Sequence, residues 1–319
     1  MTVSLYLVWP LLKRLLKPKV LFAVYGQRKH QKAFWPLWLT PYLRPEFPIS
    51  FIRYRGGWGF AAASTVLAEE FDEDPARASA LLGQIKQEFP SVEAVALAGR
   101  LPGWIASKGG SFTPPFSDGS TGTRWSMMCS LREAARQFVK RPARDITLVI
   151  LGGAGFIGSR LAQECAREYK KVLAIDPRYE NREVIGNLIK SGEVSDILQA
   201  DLILVMTSTG DQVKDYVDWI PPRAVVVDDT YPCIPPDLLH KLVDKGILVR
   251  KAVMTWMSGC ITTFPRLPGF RGVDVPGCLL EALVVSQRGW EVLNDPEKFE
   301  KAATELGFRS ELIEHPNRL

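Results

Sequence analysis

Seven residues in the middle of the chain, Asp145-Ile146-Thr147-Leu148-Val149-Ile150-Leu151, form a short apolar run rich in β-branched side chains. The run enters Gly152-Gly153-Ala154-Gly155-Phe156-Ile157-Gly158 without a spacer. A stretch of this length closed by glycines predicts a buried strand ending in a tight turn. Past the turn, Ile157, Leu161 and Cys165 recur at intervals of four with Arg160, Glu164 and Arg167 between them, the spacing of a helix with one buried side. A second strand, Val172-Leu173-Ala174-Ile175, then ends at Asp176.

Gly153, Gly155 and Gly158 stand in a G-x-G-x-x-G pattern, with the acid 23 residues after the first of them. In that context each glycine has an expected task. Gly153 permits the turn, Gly155 lets backbone approach a pyrophosphate, and Gly158 lets the helix pack close to the strand. The loop amides around Ala154, Phe156 and Ile157 are expected to meet the phosphates, because a helix N-terminus offers free N–H groups and a favourable dipole. Asp176 would accept hydrogen bonds from the adenosine ribose and repel a 2′-phosphate, which favours NAD over NADP. Pro177 and Arg178 follow it, and the guanidinium of Arg178 or Arg182 could neutralise such a phosphate, so NADP stays open. Thr207 and Ser208, after a further strand, are expected beside the nicotinamide.

Further strands are expected at 202–206, 224–228 and 247–250, giving a parallel sheet covered on both faces. Upstream, 19–26, 49–54 and 94–99 read as strands, and 61–71 and 75–89 as helices. With 319 residues the chain exceeds one core. The expected fold is α/β, a Rossmann-type doubly wound parallel sheet with a smaller N-terminal α/β substrate domain and a returning C-terminal helix. The expected bounds are 1–121 for the substrate domain, 122–272 for the dinucleotide-binding domain, and 273–319 for a helical segment packing back on the first domain.

Residues 1–60 hold ten Lys and Arg against one acid, Glu46. Such an arm steers anionic partners, an acidic carrier protein or a membrane surface; no nucleic-acid partner is expected, and a homo-oligomer stays open. The apolar start, Leu5 to Leu12, is shorter than the ~20 residues of a membrane span. Leu11, Leu12, Leu15 and Leu16 share one face of a helix that would dock on protein or lie on lipid. Five cysteines without C-x-x-C spacing and three histidines speak against a disulfide framework or a metal site, and for a cytoplasmic setting, peripheral to a membrane at most.

A bound dinucleotide implies an enzyme, a dehydrogenase or reductase moving hydride to or from a carbonyl-type substrate between the domains. Lys108, Asp229 and Tyr231 are the candidates for proton work, and Cys278 or Cys260 for covalent work. The alternatives are a dehydrogenase of a small acid and a non-catalytic NAD(H)-binding interaction protein.

Several segments, in shared order, resemble the long-chain fatty acyl-[acyl-carrier-protein] reductases and their relatives among predicted amino-acid dehydrogenases. They are Ala96-Leu97-Ala98-Gly99, Lys108-Gly109-Gly110-Ser111-Phe112, Ser120-Thr121-Gly122-Thr123, the Gly153 to Gly158 loop, Val227 to Pro232, Val273-Asp274-Val275-Pro276, and Leu306-Gly307-Phe308-Arg309. The resemblance implies a substrate domain, a Rossmann domain and a C-terminal return. It also implies an activity in which a cysteine takes an acyl group from a carrier as a thioester and hydride from NADPH releases an aldehyde. The substrate would be small or carrier-bound.

Overall fold

The computed structural model describes residues 17–28, 46–256, 262–264, 271 and 273–317. The amphipathic segment before residue 17, most of the basic arm and Cys260 lie outside the described residues. The chain divides into two compact units, Met1–Thr123 with Thr255–Arg309, and Arg124–Met254 with Ser310–Leu319. These divisions differ from the expected 121/122 and 272/273, and the last ten residues belong to the second unit instead of the first.

In the first unit, β1 (Val20–Tyr25), β2 (Glu46–Tyr54), β3 (Gly57–Ser64), α1 (Ala68–Glu73), α2 (Ala76–Glu88), β4 (Ala94–Leu97), α3 (Leu101–Ser107) and β5 (Phe116–Ser117) follow one another, and α4 (Ser120–Ala134) leads into the second. The strands lie in the order β2-β3-β1-β4-β5, with β2 antiparallel and the others parallel. Leu21, Ala23, Phe60 and Ala62, alternating along β1 and β3, join Phe71, Leu81 and Ile85 in one core. The expected helix at 61–71 is instead the end of β3 followed by α1. Ala61, Ala62 and Ala63 favour a helix in isolation, but β1 and β2 flank them on both sides, and pairing overrides propensity.

The second unit contains β6 (Thr147–Leu151), α5 (Gly158–Cys165), β7 (Lys171–Ile175), β8 (Glu183–Ile185), β9 (Leu188–Ser191), β10 (Leu202–Val205), β11 (Val225–Asp228), α6 (Pro236–Asp244) and β12 (Leu248–Trp256). Six of its strands form the parallel order β9-β7-β6-β10-β11-β12. That order reverses direction between β6 and β10, which is the doubly wound Rossmann arrangement with its switch point there. Leu148, Ile150, Val172, Ala174, Leu202 and Leu204 face one core, while Val149, Leu151, Leu173, Ile175, Ile203 and Val205 face the other. Two covered faces explain why these strands are continuously apolar. The β8–β9 hairpin was not legible, and 3₁₀ turns at Val194–Gln199 and Gly210–Asp215 follow β9 and β10.

A short β13 (Thr262–Phe264) pairs with β2. Then α7 (Gly277–Arg288) and α8 (Pro296–Leu306) return to the first unit, and β14 (Phe308–Glu314) lies beside β12. The C-terminal segment is therefore not wholly helical. Gly307, with φ of 88°, ends α8 in the left-handed region, and the chain continues as a strand.

Candidate functional site

The glycine loop joins β6 to α5 at the switch point. Gly152, not Gly153, takes the positive φ of 87°, and a Cβ there would lie 2.7 Å from the Met206 carbonyl oxygen. Gly153 is required for a different reason, since its Cβ would meet the Ala174 Cβ of β7 at 2.7 Å. A Cβ on Gly158 would stand 2.4 Å from the Gly152 carbonyl oxygen, so helix and strand approach as closely as the motif predicts. Around Gly155 the space is freer, with Gly152 O at 3.0 Å as its nearest neighbour. Among the described residues the amides of Phe156 and Ile157 have no protein acceptor, and Arg160 lies over the Phe156 ring at 4.2 Å. Two free donors and a cation thus stand at the start of a helix, the chemistry that holds an anion.

Asp176, 3% exposed, sits at the tip of β7. Its Oδ2 accepts from the Ala154 amide (3.1 Å) and Arg178 Nη2 (2.8 Å), and its Oδ1 from the Arg178 amide (3.1 Å) and Nε (2.8 Å). Burial raises the carboxyl's proton affinity, but these bonds and the guanidinium outweigh it and hold the pKa below the ordinary carboxylate value. The acid is therefore ionised at neutral pH and already braces the loop. Arg178 itself is exposed, as is Pro177, and nothing pins the guanidinium besides this pair in the described contacts. Arg182 turns instead to Asp196 at 3.5 Å.

Thr207 and Ser208 leave β10 at the same carboxyl edge. Thr207 Oγ1 donates to the Thr209 carbonyl at 2.9 Å, and Ser208 is exposed with its amide on Gln212. Next to them, β11 ends in two adjacent acids with opposite characters. Asp228 is fully buried. Its Oδ1 accepts from the Thr230 amide (2.8 Å) and hydroxyl (2.6 Å), its Oδ2 from the Ile234 amide (3.1 Å), and His315 Nε2 lies 3.0 Å from Oδ2. Burial works against its charge, yet Lys251, His315 and Thr230 together keep its pKa low. For Asp229 burial dominates; Lys251 opposes it, Asp228 adds to it, and the pKa is pushed up to about 7. A carboxyl with that value can give and take protons at neutral pH. Tyr231 is 53% exposed, and burial of its ring pushes its phenol up.

His315, passed over in the sequence because nothing in its spacing points to Asp228, is buried and central here. The Asn317 amide lies 3.3 Å from His315 Nδ1. That donor makes Nδ1 an acceptor, so Nε2 carries the proton and donates a hydrogen bond to Asp228. Donor atoms of Asp228, Cys233 and His315 lie within 4.8 Å of one another, a spacing a cation could use. A metal on Nε2 would put a proton on Nδ1, facing the Asn317 N–H, where a metal-bound imidazole needs an acceptor. The set fits a hydrogen-bond network better.

In the first unit, Lys108 caps the C-terminus of α3 as an exposed side chain. Cys278 lies in the first turn of α7, and a Cβ on Gly119 would stand 2.6 Å from its own Cβ. One turn on, Glu281 is 1% exposed, and its two carboxylate oxygens accept the amides of Gly119 (3.1 Å) and Gly122 (2.8 Å) at the start of α4. Burial pushes its pKa up to about 7 against these bonds. An acid inside the apolar run Leu279-Leu280-Glu281-Ala282-Leu283 was the signal that could have revealed it.

No protein-family model matches the sequence, and no curated protein is significantly similar to it. Among solved structures, the chain is similar to L-tryptophan dehydrogenase from Nostoc punctiforme, with 12% identity and a TM-score of 0.41 over 91% of this chain and 79% of that one. It is also similar to a shikimate dehydrogenase in complex with NADP+, with 14% identity and a TM-score of 0.40 over 91% and 96%. A third is the D-isomer specific 2-hydroxyacid dehydrogenase from Lactobacillus delbrueckii ssp. bulgaricus in its NAD-complexed form, with 13% identity and a TM-score of 0.36 over 72% and 79%. Among the described residues no helix is long and apolar enough to cross a membrane.

Proposed function

We propose that the protein is an NAD(P)-dependent oxidoreductase acting on a carbonyl-type substrate. The observation that carries this reading is the pair of unclaimed amides, Phe156 and Ile157, opening α5 at the switch point of the parallel sheet, with an ionised Asp176 at the tip of the next strand. The residues fit a dinucleotide. Gly155 leaves room for a pyrophosphate, the two amides and Arg160 meet its charge, and Asp176 with Arg178 stands where the adenosine ribose belongs. When bound, the nicotinamide supplies hydride. The chain's part is to place the substrate carbon and to handle the proton at its oxygen. Asp229 is the group best suited to that task, because it stands on the carboxyl edge two strands from the glycine loop, about 10 Å across the sheet, and titrates near neutrality.

A covalent version would use Cys278, the second residue of a twelve-residue helix and partly exposed. In it the Cys278 sulfur bonds to the acyl carbon of a thioester, the carrier thiol leaves with the proton, and the acyl group stays on the protein to be reduced to an aldehyde. Calorimetry with NADH and NADPH tests the shared part, and no heat with either ends the reading. With an acyl thioester as substrate, Cys278→Ser abolishes turnover in the covalent version and spares it otherwise. Asp229→Asn removes the limb of the pH–rate profile near neutrality in both.

A further inference from the structure

The segment from Ser310 to Asn317 forms a built contact with the carboxyl edge. β14 carries them there, with Leu312 packed on the sheet core and Ser310 Oγ 2.8 Å from Ser130 Oγ. His315 then reaches Asp228, as described. Asn317 Nδ2 donates to the Ile234 carbonyl at 2.7 Å and stands 3.6 Å from Cys233 Sγ. Ile234 is thus gripped on both sides, its amide by Asp228 and its carbonyl by Asn317. The turn so held, residues 229–234, bears directly on the loop after β10. The Gly210 amide donates to the Pro232 carbonyl at 2.9 Å, and a Cβ on Gly210 would lie 2.2 Å from the Ile234 nitrogen. Contact therefore runs without a gap from His315 through Asp228 and Ile234 to Gly210, Ser208 and Thr207.

We propose that His315 and Asn317 are positioning residues for the nicotinamide half of the dinucleotide site, locking the 229–234 turn against the 207–210 loop. The glycine loop, which serves the adenine half, receives no contact from the tail in the described hydrogen bonds. The two halves of the ligand are then held by separately supported loops: ADP uses one, and NADH needs both. The inference rests on the dinucleotide reading for its ligand and on the hydrogen bonds alone for its mechanics.

Two measurements on the full chain test it. Amide hydrogen exchange reads the mechanics: His315→Ala should speed exchange at Thr230, Ile234 and Gly210 about tenfold or more, one lost buried hydrogen bond being of that order. His315→Gln, whose amide can still donate to Asp228, should restore slow exchange. Ligand binding reads the consequence: NADH should weaken about tenfold in His315→Ala while ADP stays within about twofold. Unchanged exchange at Gly210 in folded His315→Ala overturns the proposal, and so does equal weakening of ADP and NADH. If His315→Ala does not fold, Asn317→Ala, which removes only the outer grip on Ile234, is read in the same way. Wild-type protein that binds neither ADP nor NADH refutes the dinucleotide reading, while exchange still decides whether the tail locks the turn.

Discussion

Two helices in this protein begin at turns built on glycine, and a buried carboxylate reaches the amides of each. At α4 in the first unit, Glu281 takes both the Gly119 and the Gly122 amides, and a Cβ on Gly122 would stand 2.4 Å from the Gly277 carbonyl oxygen. At α5 in the second unit, Asp176 takes only Ala154 and leaves Phe156 and Ile157 open. Glycine and a helix N-terminus are common to both, so neither feature marks a binding site by itself. The difference is whether the protein supplies its own acceptors for the amides of the turn. Close packing accounts for glycines at both turns; where the protein stops short of filling the turn, two amides stay open, as the proposed dinucleotide site requires.

The largest effects should separate the two turns. Gly155→Val places its branch on the freer side of the α5 loop, and NADH binding should fall by more than about a hundredfold, beyond the ~2.7 kcal/mol that two orders of magnitude represent, with circular dichroism showing the fold retained. Gly122→Val drives a side chain into the α7 backbone and should prevent folding of the first unit, read by circular dichroism. A Gly155→Val protein that binds NADH normally would show that the open amides are not the ligand's.

Next in size is the removal of that internal acceptor. Glu281→Ala leaves two buried amides without an acceptor, at a cost of about 1–3 kcal/mol each, which denaturant titration would resolve. Its pH dependence has a definite sign. The folded carboxyl titrates at about 7, above the ordinary glutamate value of 4.5, so between these values the native state binds more protons than the unfolded one. Wild-type stability therefore falls as pH rises from about 4.5 to 7, and Glu281→Gln should flatten that slope. Asp176 carries the opposite sign: its pKa is lowered, so its contribution is present above the ordinary carboxylate range and fades as the folded group is protonated in acid. Asp176→Ala should weaken NADH about tenfold, two lost hydrogen bonds to a ribose being of that order, and shift preference toward NADPH.

The contrast also explains what could be read from sequence. The second unit was legible because both faces of its sheet are buried, which writes each strand as an apolar run, and because Gly152 to Gly158 fixes where the first strand ends. β3 was misread because Ala61-Ala62-Ala63 expresses helix propensity locally, while the pairing that overrules it comes from β1 and β2. The partnerships of Glu281 with Gly119 and of His315 with Asp228 join residues 162 and 87 positions apart, a separation over which neither periodicity nor spacing carries information. The two neighbouring acids at 228 and 229 look alike as letters; only Thr230, Ile234 and His315, which converge on one and not the other, set them apart.

The smallest effect concerns the exposed member of the Asp176 pair. Arg178 is 63% exposed at its side chain while Asp176 is buried, so Arg178→Ala should lower thermal stability only modestly, because solvent screens the guanidinium and the acid keeps its two backbone donors. It should matter for the ligand instead. With the guanidinium gone, both Asp176 oxygens gain room for ribose hydroxyls, and no cation remains on residue 178 to meet a 2′-phosphate. NADH affinity should rise by about twofold to fivefold while NADPH affinity falls by about as much, each within the worth of one charge-assisted hydrogen bond. Parallel loss of both nucleotides would instead assign Arg178 to the adenine ring or the pyrophosphate. The α5 turn would then be open on its phosphate side only through a residue that also closes its ribose side, and the two turns would differ less than their amides suggest.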